Sequence, residues 1–225
     1  MRKLSIIVVS CVGIIAAGVL WIAYTTTAKQ TIDQAAIERG FDDIGAQVNQ
    51  RMYMEAGRSG IDSLSITPEQ FLFYKMNIEL YHHVTDSSSA IPKDQQLLDN
   101  LLKEKLVVQK ALELGITVED QEVEDYIAEQ KNIYEQFQAE EQGDRIAYEF
   151  MKNRIRITGL SEEQFWNSNT IRETYYEAIL GSKLRAKLLA DGTLSDPEQF
   201  NQFQEELLKG ARDMLPRLED VQQKK

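Results

Sequence analysis

Four times along this chain a Ser or Thr stands three residues ahead of an acid or Gln, directly before an apolar run. The pairs are Thr67 with Gln70, Thr117 with Asp120, Ser161 with Gln164, and Ser195 with Glu198. A hydroxyl so placed accepts an orphan N–H of a helix's first turn, and the later side chain reaches back to the capping residue. Pro68 and Pro197 fall near the first helical position, where a missing N–H costs nothing. Gly115, Gly143, Gly159 and Gly192 stand where the intervening helices should stop. Starts and stops in register leave little room for anything but a helical architecture.

The apolar spacing agrees. Phe200, Phe203, Leu207, Ala211, Leu215 and Leu218 recur at three or four residues, one face of a final helix. Val123, Tyr126, Ile127, Tyr134 and Phe137 mark a middle helix in the same way. Phe165, Trp166, Tyr176, Ile179, Leu180, Leu184 and Leu188 predict one long helix after Ser161. Leu97, Leu98, Leu101, Leu102, Leu106, Val107, Ala111 and Leu112 cover more than one face, which predicts a central helix. No stretch alternates with period two for long enough to demand a strand. With 12 glycines and 4 prolines, the chain is also poor in turn formers. The expected fold class is all-α, with five or six helices.

Charge and composition narrow the function. A formal net charge of −11 is wrong for nucleic acid, whose binding needs a basic face to displace counterions from phosphate. The single cysteine, Cys11, excludes an internal disulfide framework and any multi-cysteine metal site. No Gly-x-Ser-x-Gly elbow, phosphate loop or dinucleotide fingerprint is present, so no cofactor is expected.

Arg2 and Lys3 are followed by no charge until Lys29. Residues 4–24, Leu4 to Tyr24, are apolar apart from Ser5 and Ser10, and as a helix they rise about 30 Å, the thickness of a bilayer core. Trp21 and Tyr24 sit where an aromatic belt would meet the far headgroups, and the basic end should stay cytoplasmic. The expectation is a single-pass anchor in the cytoplasmic membrane, with everything beyond residue 28 extracytoplasmic. A signal peptide cleaved near Thr26 and Ala28 is the competing reading, although its apolar stretch is usually shorter. Val8-Val9-Ser10-Cys11 has the form of a lipobox, but the apolar run continues well past the cysteine.

Residues 29–60 carry only a thin stripe of Ile32, Ala36, Ile44, Val48 and Met52, and read as a stalk or linker. The helical domain is expected over 61–218, and 219–225 as a frayed tail. Gly57 to Ser65 and Thr85 to Ala90 read as loops.

His82 and His83 are adjacent, whereas helical metal ligands sit at i and i+4, and no third ligand is identifiable. From Glu119 to Glu149 there are eleven acids against Lys131 and Arg145, read as a solvated helix face. Lys152, Arg154 and Arg156 then reverse the sign and are expected to pair with that helix. Phe71-Leu72-Phe73-Tyr74, with Met76, Leu80 and Tyr81, is too apolar for an ordinary exposed helix. It belongs in a core, or it leaves one side open as an apolar surface for other chains. Methionines such as Met52, Met54 and Met76 would suit that surface, because they adapt to varied partners.

One stretch resembles a known family. Leu97-Leu98-Asp99-Asn100-Leu101-Leu102-Lys103-Glu104-Lys105-Leu106, then Ala111 to Val118, then Glu122 to Ile127 resemble the SurA N-terminal domain. That helical chaperone module also occurs in SurA/PrsA-type extracytoplasmic foldases. Ile66-Thr67-Pro68-Glu69-Gln70-Phe71 and Gly159 to Trp166 resemble two of its other helix openings. The resemblance covers roughly residues 61–190. It implies a membrane-anchored, ATP-independent chaperone, a holdase or foldase-like factor, whose partners are unfolded or nascent exported proteins. Phe71, Phe73, Tyr74, Met76 and Tyr81 are then the candidate client-binding residues. Family members that isomerise prolyl bonds carry an inserted parvulin domain, whereas the residues after Leu189 read as one more helix, so no enzymatic activity is implied. The alternative is a structural or adaptor protein for one dedicated envelope partner.

Overall fold

The computed structural model describes residues 33–48, 64–85, 90–139 and 145–222. These residues form helices joined by turns, with no strand among them. In chain order the helices are α1 (Gln34–Gln47), α2 (Pro68–Val84), α3 (Asp94–Glu113), α4 (Asp120–Ala139) and α5 (Arg145–Thr158). Then come α6 (Glu162–Trp166), α7 (Asn169–Ala190), α8 (Gln199–Ala211), a 3₁₀ turn at Arg212–Met214, and α9 (Leu218–Val221). The apolar segment Leu4 to Tyr24, Cys11, Met52, Met54, the serine run at 87–89 and Gly143 lie outside the described residues. Among the described residues no helix is long and apolar enough to cross a membrane.

Two of the expected capping boxes close reciprocally. Gln70 N–H donates to Thr67 Oγ1 at 3.2 Å while Thr67 N–H donates to Gln70 Oε1 at 2.9 Å. Ser161 and Gln164 repeat the pattern at 3.2 and 2.9 Å. The other two start differently. At α4 the N–H of Glu119 donates to Glu122 Oε2, two residues beyond Thr117. At α8 the Asp196 carboxylate accepts from the N–H groups of Glu198 and Gln199, which displaces Ser195 from the capping role. Gly115, Gly159 and Gly192 terminate their helices with φ of 70°, 71° and 77°, a conformation other residues seldom adopt.

Two runs expected as single helices are broken. After Trp166 the chain leaves α6, and Ser168 Oγ accepts from Ile171 N–H to open α7. The final run stops at Ala211 and tightens into the 3₁₀ turn. Leu215 is then held extended (φ −92°, ψ 149°), as the ring of the following Pro216 demands. The residues expected to fray from Glu219 instead include α9, whose Val221 is 1% exposed among Leu97, Leu98 and Leu101. Burial of that side chain ties the end of the described chain to α3.

α3 is the central helix, packed on α2, α7, α8 and α9. Its N-terminal half sends Leu97, Leu98, Leu101 and Leu102 into a core shared with Phe71, Leu208 and Leu215. Its C-terminal half places Val107, Val108 and Ala111 against Leu180, Leu184 and Phe200. A helix that is apolar on two faces has to sit between layers, since each buried large aliphatic side chain is worth about 1.5–3 kcal/mol.

Two segments are corrected. The described part of 29–60 is not a stalk. Asp33 Oδ1 caps α1 by accepting from Ala36 N–H, and Ile37, Phe41, Ile44 and Val48 are buried against α2 and α5. The helical body therefore begins well before residue 61. The basic run at 152–156 likewise does not pair with the acidic helix α4: Lys152, exposed, meets Glu149 one turn back on its own helix at 3.3 Å. The run belongs to α5, a helix buried over most of its length between α1 and α4. Arg156 reaches Asp42 at 2.7 Å on α1, and Arg154 is itself buried. α4 is paired instead with α7, through Glu122–Lys183 at 2.6 Å and Glu124–Arg172.

Candidate functional site

The five residues singled out for client contact all lie on α2, and they separate by face. Phe71, Phe73 and Tyr81 are 3%, 2% and 6% exposed, so in this fold they are core. Phe71 packs with the leucines of α3, while Phe73 and Tyr81 join Phe41 and Phe150 under α1. The rings of Tyr81 and Phe150 meet edge to face at 6.1 Å. Tyr74 is half-buried, and its phenol is pushed up to about 12 by burial and by nearby Glu104. Met76 is half-buried too, packed against the core under α1 while lining a groove at the surface. An α2 of such high mean apolarity is covered on two sides, by α1 and by α3, and this consumes most of the apolar side chains.

Met76 lines a groove of about 350 Å³ between α1 and α2. Ile44 and Leu80 form its apolar floor, and Arg39, Asp43, Glu79 and His83 its rim. Gly40 lets the two helices close here, because a Cβ at that position would come within 2.3 Å of Leu80 Cδ1. A second groove of about 340 Å³ runs between α3 and α8. Leu106 and Ala211 lie at its base, Phe203 and Leu207 on its wall, and Met214 at its edge. Met214 is 76% exposed, the most exposed of the large apolar side chains among the described residues. Neither Gly210 nor Met214 stands out from the sequence pattern. The only available signal was a glycine inside the helical spacing from Leu207 to Ala211, next to where α8 ends.

Between the helices lies a polar centre. Arg154 Nη2 donates to Asn77 Oδ1 at 3.1 Å, and Asn77 Nδ2 donates to the Phe73 carbonyl at 2.8 Å. The guanidinium stands 5.6 Å from the centre of the Phe73 ring. Glu149, also buried, accepts from Gln34, Arg145 and Lys152. These bonds offset the desolvation of groups that would otherwise cost several kcal/mol each. Where α3 meets α7, Lys105 Nζ sits 2.8 Å from Glu177 Oε1. Glu104 beside it has a buried Oε2 with no hydrogen-bond partner. Burial, and then the charge of Glu177, push its carboxyl up to about 8. Glu173 on α7 is shifted in the same direction, by burial and by Glu177.

Among the described residues no three His, Cys, Asp or Glu side chains come together as a metal site. His82 has a buried Nδ1 on α2, while His83 is exposed at the rim of the first groove. The described surface carries two grooves with apolar linings and mixed-charge rims.

No curated protein and no solved structure matches the chain significantly. A family model does, the SurA-like N-terminal domain, over residues 85–180. The match runs from the end of α2 through α3, α4, α5 and α6 into α7, a narrower span than the 61–190 expected from the motifs. The central leucine-rich helix, its glycine stop and the acidic helix that follows are thus the matched elements, and over them the chain is similar to the SurA-like N-terminal domain.

Proposed function

We propose that this protein is a membrane-anchored, extracytoplasmic, ATP-independent chaperone, a holdase or foldase-like factor that binds unfolded or nascent exported proteins. The observation that carries the reading is the family match over 85–180, in a module whose family is chaperone-related. The anchor is residues 4–24, with the N-terminus cytoplasmic and the helical body outside. Binding is by apolar contact in shallow grooves, and the acidic character of the chain keeps the loaded protein soluble. Open grooves with methionine at the edge suit weak, varied occupants better than one tightly fitted ligand.

Light scattering of a heat-unfolding model protein tests this reading. The full chain in lipid nanodiscs should suppress aggregation in proportion to dose, where empty nanodiscs and an unrelated acidic helical protein do not. A well-folded preparation without suppression would sink the chaperone reading and favour an adaptor with one dedicated partner.

A further inference from the structure

Two glycines line the two grooves, and only one is accounted for by packing. Gly40 allows α1 to close on α2. Gly210 lies in the last turn of α8 but is not among the positive-φ glycines, so its backbone does not require the absence of a side chain. A Cβ built there meets no atom within 4 Å, so packing does not require it either. A glycine this close to a helix end costs less than the ~0.5–1 kcal/mol of an interior position relative to alanine, but it contributes no packing. What the missing side chain does at this position is leave the edge of the α3/α8 groove open.

We infer that the groove between α3 and α8 is a docking site for a short apolar segment of another polypeptide that carries Lys or Arg beside its apolar residues. This rests on the chaperone reading and assigns it a place and a substrate class. The apolar surface is supplied by Leu106, Phe203, Leu207, Ala211 and Met214. At the rim, Lys110 is engaged with Glu113 at 3.1 Å. Glu206 is the rim's other charge, so the groove mouth is net negative and complementary to a basic residue. A volume of about 340 Å³ accepts a few side chains rather than a folded surface. A second copy is disfavoured, since each chain carries a net charge of −11. α8 also lies beyond residue 180, so one wall of the groove belongs to this chain and not to the matched stretch of the family.

Fluorescence anisotropy of the full chain in nanodiscs tests the site. The probes are three short fluorescein-labelled peptides: one of Leu and Phe interspersed with Lys, the same with Lys→Glu, and the same with its apolar residues changed to Ser. The first should bind, and the other two should bind at least about tenfold more weakly. Gly210→Trp should weaken binding of the first peptide about tenfold, while Gly210→Ala leaves it within about twofold. Met214→Ser, at an exposed position, should give an intermediate loss and serves if the tryptophan variant fails to fold. Equal binding by wild type and a folded Gly210→Trp overturns the site. If that variant also suppresses aggregation normally, the chaperone reading stands without it. Equal binding of the Lys and Glu peptides overturns the charge preference, and a concentration-dependent dimer dissolved by Gly210→Trp overturns the occupant in favour of a second copy.

Discussion

Arg154 on α5 and Asn77 on α2, both 3% exposed or less, are joined by a hydrogen bond of 3.1 Å from guanidinium to amide oxygen. The bond links two helices that are neighbours only through the tertiary fold. It also holds a cation in the interior, with the Phe73 ring beside it. Arg154→Ala should lower the free energy of unfolding by about 2–4 kcal/mol, because packing is lost and the Asn77 amide is left with an unpaired acceptor. Arg154→Met, which keeps the volume, should cost less. Urea unfolding followed by circular dichroism measures both, and a loss below about 0.5 kcal/mol for the alanine variant would remove Arg154 from the stabilising set.

Glu104 makes stability depend on pH. Its carboxyl is raised to about 8 in the folded chain by burial and by Glu177, against 4.5 when free. The folded state therefore keeps a proton that the unfolded chain has released. Stability should fall as pH rises from about 4.5 to about 8 and level off above that. Glu173, shifted upward by the same surroundings, contributes in the same direction. Glu104→Gln should flatten the decline and leave the variant more stable than wild type at pH 8. Melting temperatures between pH 5 and 9 decide this, and parallel curves for the two proteins would exclude Glu104 as the source.

The capping assignments separate by mutation. Thr67→Ala and Ser161→Ala should each cost about 1 kcal/mol, since each removes a hydroxyl that accepts from the first turn. Asp196→Ala should cost a similar amount. Ser195→Ala should cost little, because the Asp196 carboxylate takes the N–H groups that open α8. A reversed order for Ser195 and Asp196 in thermal denaturation would restore the capping box read from the sequence.

Phe73 and Met76 distinguish core from surface on one helix. Phe73→Ala should destabilise by about 3–5 kcal/mol, since its ring fills a position 2% exposed under α1. Met76→Ala, at the edge of the first groove, should cost about 1 kcal/mol or less. Comparable losses at the two positions would mean that the groove is closed in solution.

The all-helical class, the central place of α3, two capping boxes and three glycine stops follow from local physics, and local physics is written in the sequence. A hydroxyl three residues from a Gln, or a glycine able to take positive φ, acts on neighbours within one turn. The resemblance at Leu97 to Ile127 was legible for the same reason, because leucine spacing and helix punctuation lie side by side in the chain. Tertiary structure decided the rest. α5 escaped notice because Glu149, Asn153, Arg154 and Thr158 interrupt its apolar pattern, and their burial is tolerable only through hydrogen bonds to side chains and backbone, the longest to residues as distant as Gln34 and Asn77. Nothing local marks a polar residue as satisfied inside. For α2 the aromatic content was plain, but which ring is core depends on α1 and α3 covering it from either side. Gly40 and Gly210 are the same residue, one mid-helix in α1 and the other in the last turn of α8. One is pressed against Leu80 and the other faces an open groove, a difference set by which helix lies opposite.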